Sequence, residues 1–250
     1  AARLEPSFGL GLSATLGFLL VFRLNRAAVR YWAAREMWGG MIYAVRAFVQ
    51  CAADRCAAES HSARDAAVAW VLALVVATKE HLRSAPTIDE RELPLSPSDA
   101  AALNAERHRP LFAVGAARAV LLRASQDWER AGVVGAVETA LWRAEALRET
   151  LSHLDRAAQA FGGLERVKST PLPVAYVSHL RTFLLVYIFL LPPVFQKEWG
   201  PLGTVLMVCL IAFALFGIEA ASVECEAPFN RGSPHALPLE RFCATVMLDA

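Results

Sequence analysis

A chain of 250 residues with Lys+Arg 25 against Asp+Glu 24 carries a formal net charge of +1, and neither that balance nor any compact basic cluster points to nucleic-acid binding. Hydrophobic residues make up 56% of it, and its mean hydropathy of +0.37 exceeds that of an ordinary soluble domain. The cysteines (Cys51, Cys56, Cys209, Cys225 and Cys243) are odd in number and irregularly spaced. Neither a disulfide framework nor a metal site is therefore expected, and they read as buried thiols.

Ala1 to Pro6 lacks the charged-then-apolar order of a signal peptide. From Pro6 to Phe22 no residue is charged. A helix of that length rises about 25 Å, a little short of a hydrocarbon core near 30 Å. Arg23, Arg26, Arg30 and Arg35 follow at once and mark the cytoplasmic side. Gly9, Gly11, Ser13, Ala14, Thr15 and Gly17 are small enough for close helix approach. A membrane helix over residues 1–23 that feeds into a helical body is the expectation.

Residues 24–60 keep the helical period, with Tyr31 or Trp32, Arg35, Trp38, Ile42, Val45, Val49 and Ala52 forming an apolar-aromatic stripe that predicts core packing. A second helix is expected over 64–83. Its apolar run Ala66 to Ala77 is too short to cross a bilayer, so it reads as buried. Pro86, Pro94 and Pro97 break the chain around the polar surface loop Thr87 to Glu92, and Ser98 is the expected cap of a short helix favoured by Asp99. Pro110 starts another helix through about Ser125. A longer one runs from about Val133 to Phe161 and is expected to stop at Gly162-Gly163. No strand-period segment appears, and the expected class is all-α.

At Ser169 the character changes. Two uncharged runs, Thr182 to Gln196 and Pro201 to Ile218, flank the polar turn Lys197 to Gly200. They predict a helical hairpin through the membrane over residues 181–222, with Pro192-Pro193 breaking its first arm and Trp199 at the interface. Arg166, Lys168 and Arg181 place its start on the same side as Arg23. Residues 24–180 then lie inside as one helical region, 223–250 form a C-terminal inner segment, and the N-terminus faces outside. Buried helices of a large soluble bundle are the alternative, because no apolar run is long.

These residues carry a resemblance. FRLNRAAVRYWAAREMWG (Phe22 to Gly39), STPLPVAYVSHLRTFLLVYIFLLP (Ser169 to Pro192), FGIEAASVECEAPF (Phe216 to Phe229) and LPLERFC (Leu237 to Cys243) resemble the bestrophin family of anion channels, including its bacterial, algal and plant branches. The resemblance implies a helical bundle with a large cytosolic part, assembled as a homopentamer around a central pore in the lipid bilayer. It implies conduction of chloride or bicarbonate. The family carries a further membrane helix ahead of the pore-lining one, which this chain begins too late to include. Animal members bind calcium with an acidic run after the Pro-Phe element. Here Pro228-Phe229 is followed by Asn230 to His235 without a carboxylate. Calcium wants several oxygen ligands, so no calcium clasp, and no cofactor, is expected there.

The resemblance also implies site residues. Phe18 and Phe22 lie one turn apart and Ala14 completes the row, matching the family's hydrophobic neck; such a ring can gate by dewetting and present ring edges to anions. Leu172, ahead of Pro173 in the element Leu172-Pro173-Val174-Ala175-Tyr176, matches the second, cytosolic constriction. Arg23 and Arg26 follow the neck and are the expected anion-attracting charges. Glu219, Glu224 and Glu226 would repel anions and are expected in salt bridges or caps.

An enzyme is not expected: GxSxG, HExxH, a phosphate loop and a dinucleotide fingerprint are all missing, and Asp89-Glu90 falls in an exposed loop. A non-conducting membrane scaffold or accessory subunit is the rival function. A mature chain starting Ala1-Ala2 would follow transit-peptide removal, which favours an algal thylakoid membrane over a bacterial inner membrane.

Overall fold

The computed structural model describes residues 6–55, 61–130 and 137–249. Every regular element among them is helical: α1 (Pro6–Arg55), α2 (His61–Leu82), a 3-10 turn (Glu90–Glu92), α3 (Pro97–Ala105), α4 (Arg109–Arg130), α5 (Val137–Ser169), α6 (Val174–Glu226) and α7 (Leu239–Asp249). The chain divides into two compact units, one of Ala1–Ala33 with Thr170–Ala236 and one of Ala34–Ser169 with Leu237–Ala250. Helix α1 belongs to both and runs unbroken for 50 residues.

In the first unit α6 folds back on itself. Its backbone is helical on both sides of Gly200, which alone leaves helical geometry (φ 64°, ψ −179°). Arg181 Nε donates to Glu219 Oε1 at 2.6 Å across a separation of 38 residues, which a straight helix would place about 57 Å apart. The two arms, 174–199 and 201–226, therefore form the expected hairpin. The expected break at Pro192-Pro193 is corrected: both prolines sit in helical backbone. Only glycine reaches the conformation of Gly200 without strain, and Pro201 is suited to open the second arm. Leu16 and Leu20 of α1 pack with Leu180 and Leu184 of the first arm, and Leu215 and Ile218 of the second close the cluster. Ser13 and Tyr187 share a hydrogen bond of 2.7 Å at its edge.

The second unit is built on α2, which packs along α4 and also meets α5 and α7. Its apolar run Val71 to Ala77 is buried, and Trp70 meets Phe112 of α4 edge-on at 5.8 Å. Helix α2 is also long and apolar enough to cross a membrane, yet 56% of its apolar window is buried, against 6% for α6. The burial assigns α2 to a protein core and leaves α6 bare. Along α1 the buried face is Ala34, Trp38, Met41, Val45, Phe48 and Ala52. The predicted stripe is right at Trp38, Val45 and Ala52; Trp32 is exposed, because the face drifts with the helical period.

Other boundaries move for local reasons. Ser96, not Ser98, caps α3: its Oγ accepts from the Asp99 N–H at 3.2 Å, with Pro97 as the first helical residue. Helix α5 passes through Gly162-Gly163 and ends at Ser169. A Cβ at Gly163 would lie 2.6 Å from Met37 Sδ, so this glycine permits close approach of α1 rather than ending a helix. The expected start near Val133 lies outside the described residues, as does Cys56. Cys51 and Cys243 are buried as expected, whereas Cys225 is half-buried and Cys209 is exposed on the bare helix α6.

Replacing Gly200 by Ala should cost about 1–3 kcal/mol, the usual scale for a forced backbone region. Gly115→Ala, in regular helix with open space around it, should be neutral or slightly stabilising. Thermal unfolding of the purified variants in one detergent checks the contrast.

Candidate functional site

The rotation of α1 in the first unit is set by what it buries. Leu16, Leu20, Arg23 and Ala27 recur at helical spacing and are 1% exposed or less. Residues two positions on point the opposite way, since each residue turns the helix by about 100°. Ala14, Phe18, Phe22 and Arg26 accordingly share an exposed face, with Phe18 at 69% and Phe22 at 45% exposure. The two rings stack at 6.1 Å with 27° between their planes. The Arg26 guanidinium lies over Phe22, 5.6 Å from its centroid. A cation at that distance from an aromatic face is held by the ring quadrupole.

Arg23 is a correction. Its side chain is fully enclosed, paired through Nη1 with Glu219 and donating through Nε to Glu226 Oε1 at 3.1 Å. Arg181 reaches the other oxygen of Glu219, so two guanidinium groups balance two carboxylates. An enclosed, neutralised charge attracts no passing anion, and Arg23 serves structure instead. The placement was legible in principle, since Arg23 falls on the helical row of Leu16, Leu20 and Ala27. Glu219 and Glu226 are in salt bridges as expected, and Glu224 accepts a hydrogen bond from Ser233 Oγ. All three lie within the last turns of α6.

Leu172 stands half-buried in the connector 170–173 between α5 and α6. That connector is tied to α1, because Arg30 donates to the Thr170 carbonyl and, through Nε, to the Glu226 carbonyl at 2.9 Å. Arg30 lies two turns past Phe22, about 12 Å of helix rise. The structure thus gathers Ala14, Phe18, Phe22 and Arg26 on one face and keeps Leu172 apart from them.

Sequence reasoning missed a second cluster. His81, His108 and Glu165, all in the second unit, bring their ligand atoms within 4.8 Å of one another, the one group with metal-ligand geometry among the described residues. They come from three elements far apart in the chain, so no local spacing announces them.

Residues 3–249 match the family model described as bacterial/fungal bestrophin protein. The chain is 32% identical over 240 residues to a voltage-dependent anion channel-forming protein of Nostoc sp., covering 94% of this chain and 73% of the relative. It is 31% identical over 244 residues to a protein of the same description from Synechocystis sp., covering 95% and 74%. Its fold resembles that of a bacterial bestrophin homolog from Klebsiella pneumoniae, with a TM-score of 0.81 at 24% identity over 99% of this chain and 87% of the other.

The two arginines should separate cleanly by mutation. Arg23→Gln leaves buried carboxylates short of a partner and should destabilise the protein by about 3–5 kcal/mol. Arg26→Gln, on an exposed face, should stay within about 0.5 kcal/mol of the parent. Thermal unfolding in detergent reads both.

Proposed function

The chain belongs to the bestrophin family and is an integral membrane protein, and on that premise we propose that it forms a homopentameric channel for small anions, chloride or bicarbonate. As a member of that family it is not an enzyme. In this reading Ala14, Phe18 and Phe22 from each copy form a hydrophobic neck, and Leu172 forms a second constriction on the cytosolic side. The membrane-embedded parts are residues 1–23 and the hairpin 181–222, with 24–180 and 223–250 on the inner side.

The observation that carries this reading is the exposed pair Phe18–Phe22 on a helix whose opposite face is completely packed. Two stacked rings left bare on a helix row need either lipid or other copies of the chain around them. The small residues Gly11 and Gly17, with open space at their Cβ positions, leave room for a neighbouring helix. The names of the Nostoc and Synechocystis relatives favour anion passage. A dry aromatic ring excludes hydrated ions unless it wets, and its positive edges favour anions over cations when it does. Arg26, one turn beyond Phe22 and solvent-facing, concentrates anions at the mouth.

Calcium has no part in this proposal. The loop after Phe229 offers no carboxylate, and Asn230 Oδ1 accepts from the Gly232 N–H at 3.1 Å. The relatives named above are bacterial, which favours a bacterial inner membrane over the thylakoid membrane expected from the first two residues.

Reconstitution in liposomes tests the proposal. A pentamer that releases halide supports it; a monomer or hetero-complex without flux supports the scaffold instead. Phe22→Ala and Phe18→Ala should change halide flux several-fold without dissociating the oligomer. Arg26→Gln should lower flux at low ionic strength, with the deficit shrinking toward 1 M salt, where the Debye length falls to about 3 Å. Flux indifferent to all three substitutions would contradict the neck.

A further inference from the structure

We propose that His81, His108 and Glu165 form a binding site for a divalent metal ion of the zinc class, one per chain. His81 is in the last turn of α2, His108 immediately precedes α4, and Glu165 lies one turn before the end of α5. His81 Nε2 lies 3.0 Å and His108 Nε2 3.2 Å from the same oxygen, Glu165 Oε1. In a tetrahedral zinc site with metal–ligand bonds of about 2.0–2.2 Å, neighbouring ligand atoms stand about 3.3–3.5 Å apart. Both nitrogens thus already stand near that spacing from Glu165 Oε1, and all three ligand atoms lie within 4.8 Å of one another.

The rings are held for such a role. Phe161, buried at 1% exposure, meets His81 and His108 edge-on, each at 5.6 Å between centroids. The two imidazoles lie 5.0 Å apart with only 30° between their planes, so their Nε2 atoms face the same carboxylate. All three residues are half-buried, which leaves the fourth ligand position open to water. Burial, and then the nearby Lys168 ammonium, push the His81 imidazole below its ordinary pKa. Lys168 itself donates to the His81 carbonyl, which directs its charge onto the backbone.

The donor set selects the ion. Two imidazole nitrogens and one carboxylate suit zinc, cobalt or nickel, whereas calcium and magnesium prefer all-oxygen sets. Bound there, the ion would tie the end of α2, the start of α4 and the end of α5 together, closing the long connection from 83 to 108.

The test uses the full chain in detergent, free of any affinity tag and stripped with chelator. Calorimetric titration with zinc should give one ion per chain, and zinc should raise the thermal midpoint. His108→Gln and Glu165→Gln should each weaken binding by more than about tenfold, the scale set by losing even an outer partner. Joint replacement of Cys209 and Cys225 by Ser should leave it unchanged. In the parent protein, cobalt should give the visible spectrum of a tetrahedral nitrogen–oxygen site without thiolate charge transfer, a readout that does not depend on the variants folding. No uptake by the parent protein, uptake lost with the cysteines, or a thiolate-type cobalt spectrum would each overturn the proposal.

Discussion

The structure of the first unit depends on one enclosed ion network. Arg23 sits on the packed side of α1 between Glu219 and Glu226, with Arg181 completing the charge balance. Charges taken out of water are tolerated only when paired and hydrogen-bonded, so this network has one favourable arrangement and a steep cost for others. It fixes α1 in rotation and in register against both arms of α6. A turn of the helix by one residue would pull Arg23 from its carboxylates and Leu16 and Leu20 from their cluster together. The aromatic face is exposed because the arginine is not.

Apolar surface then accumulates on the outside. Phe189, Leu202 and Phe213 on α6 are at least 75% exposed. In water such a surface would drive aggregation; in a bilayer it is the ordinary outer face of a membrane helix. The second unit is organised the other way, around an α2 whose apolar run is enclosed by helices. It is closed at its edge by polar pairs such as Arg83 with Glu240, whose carboxyl is held down at about 2 mainly by that guanidinium. One chain thus solves two solvation problems with apolar helices: the more apolar α6 is left bare and the less apolar α2 is enclosed.

Much of this was legible in the residues, and the failures have physical causes. The all-helical class and the hairpin follow from charge-free runs and helical spacing, whereas the row of Ala14, Phe18 and Phe22 was singled out by the family resemblance. The role of Arg23 was misread because a basic residue after an apolar run marks a membrane boundary, and only the partners at 219 and 226 show which way it points. The stop predicted at Gly162-Gly163 failed because glycine serves close packing as well as helix ends, and Met37, more than a hundred positions away, decides between them. Pro192-Pro193 yielded to Gly200 because a left-handed backbone needs glycine. The His81, His108 and Glu165 cluster lay beyond any local pattern.

An electron-microscopy map of the assembled protein in lipid nanodiscs tests the central claim most directly. The account predicts copies of α1 gathered around a symmetry axis, with Phe18 and Phe22 converging on it and Arg23 turned away into its own subunit. Rings of Phe18 and Phe22 facing lipid, or an assembly with no axis beside α1, would contradict it.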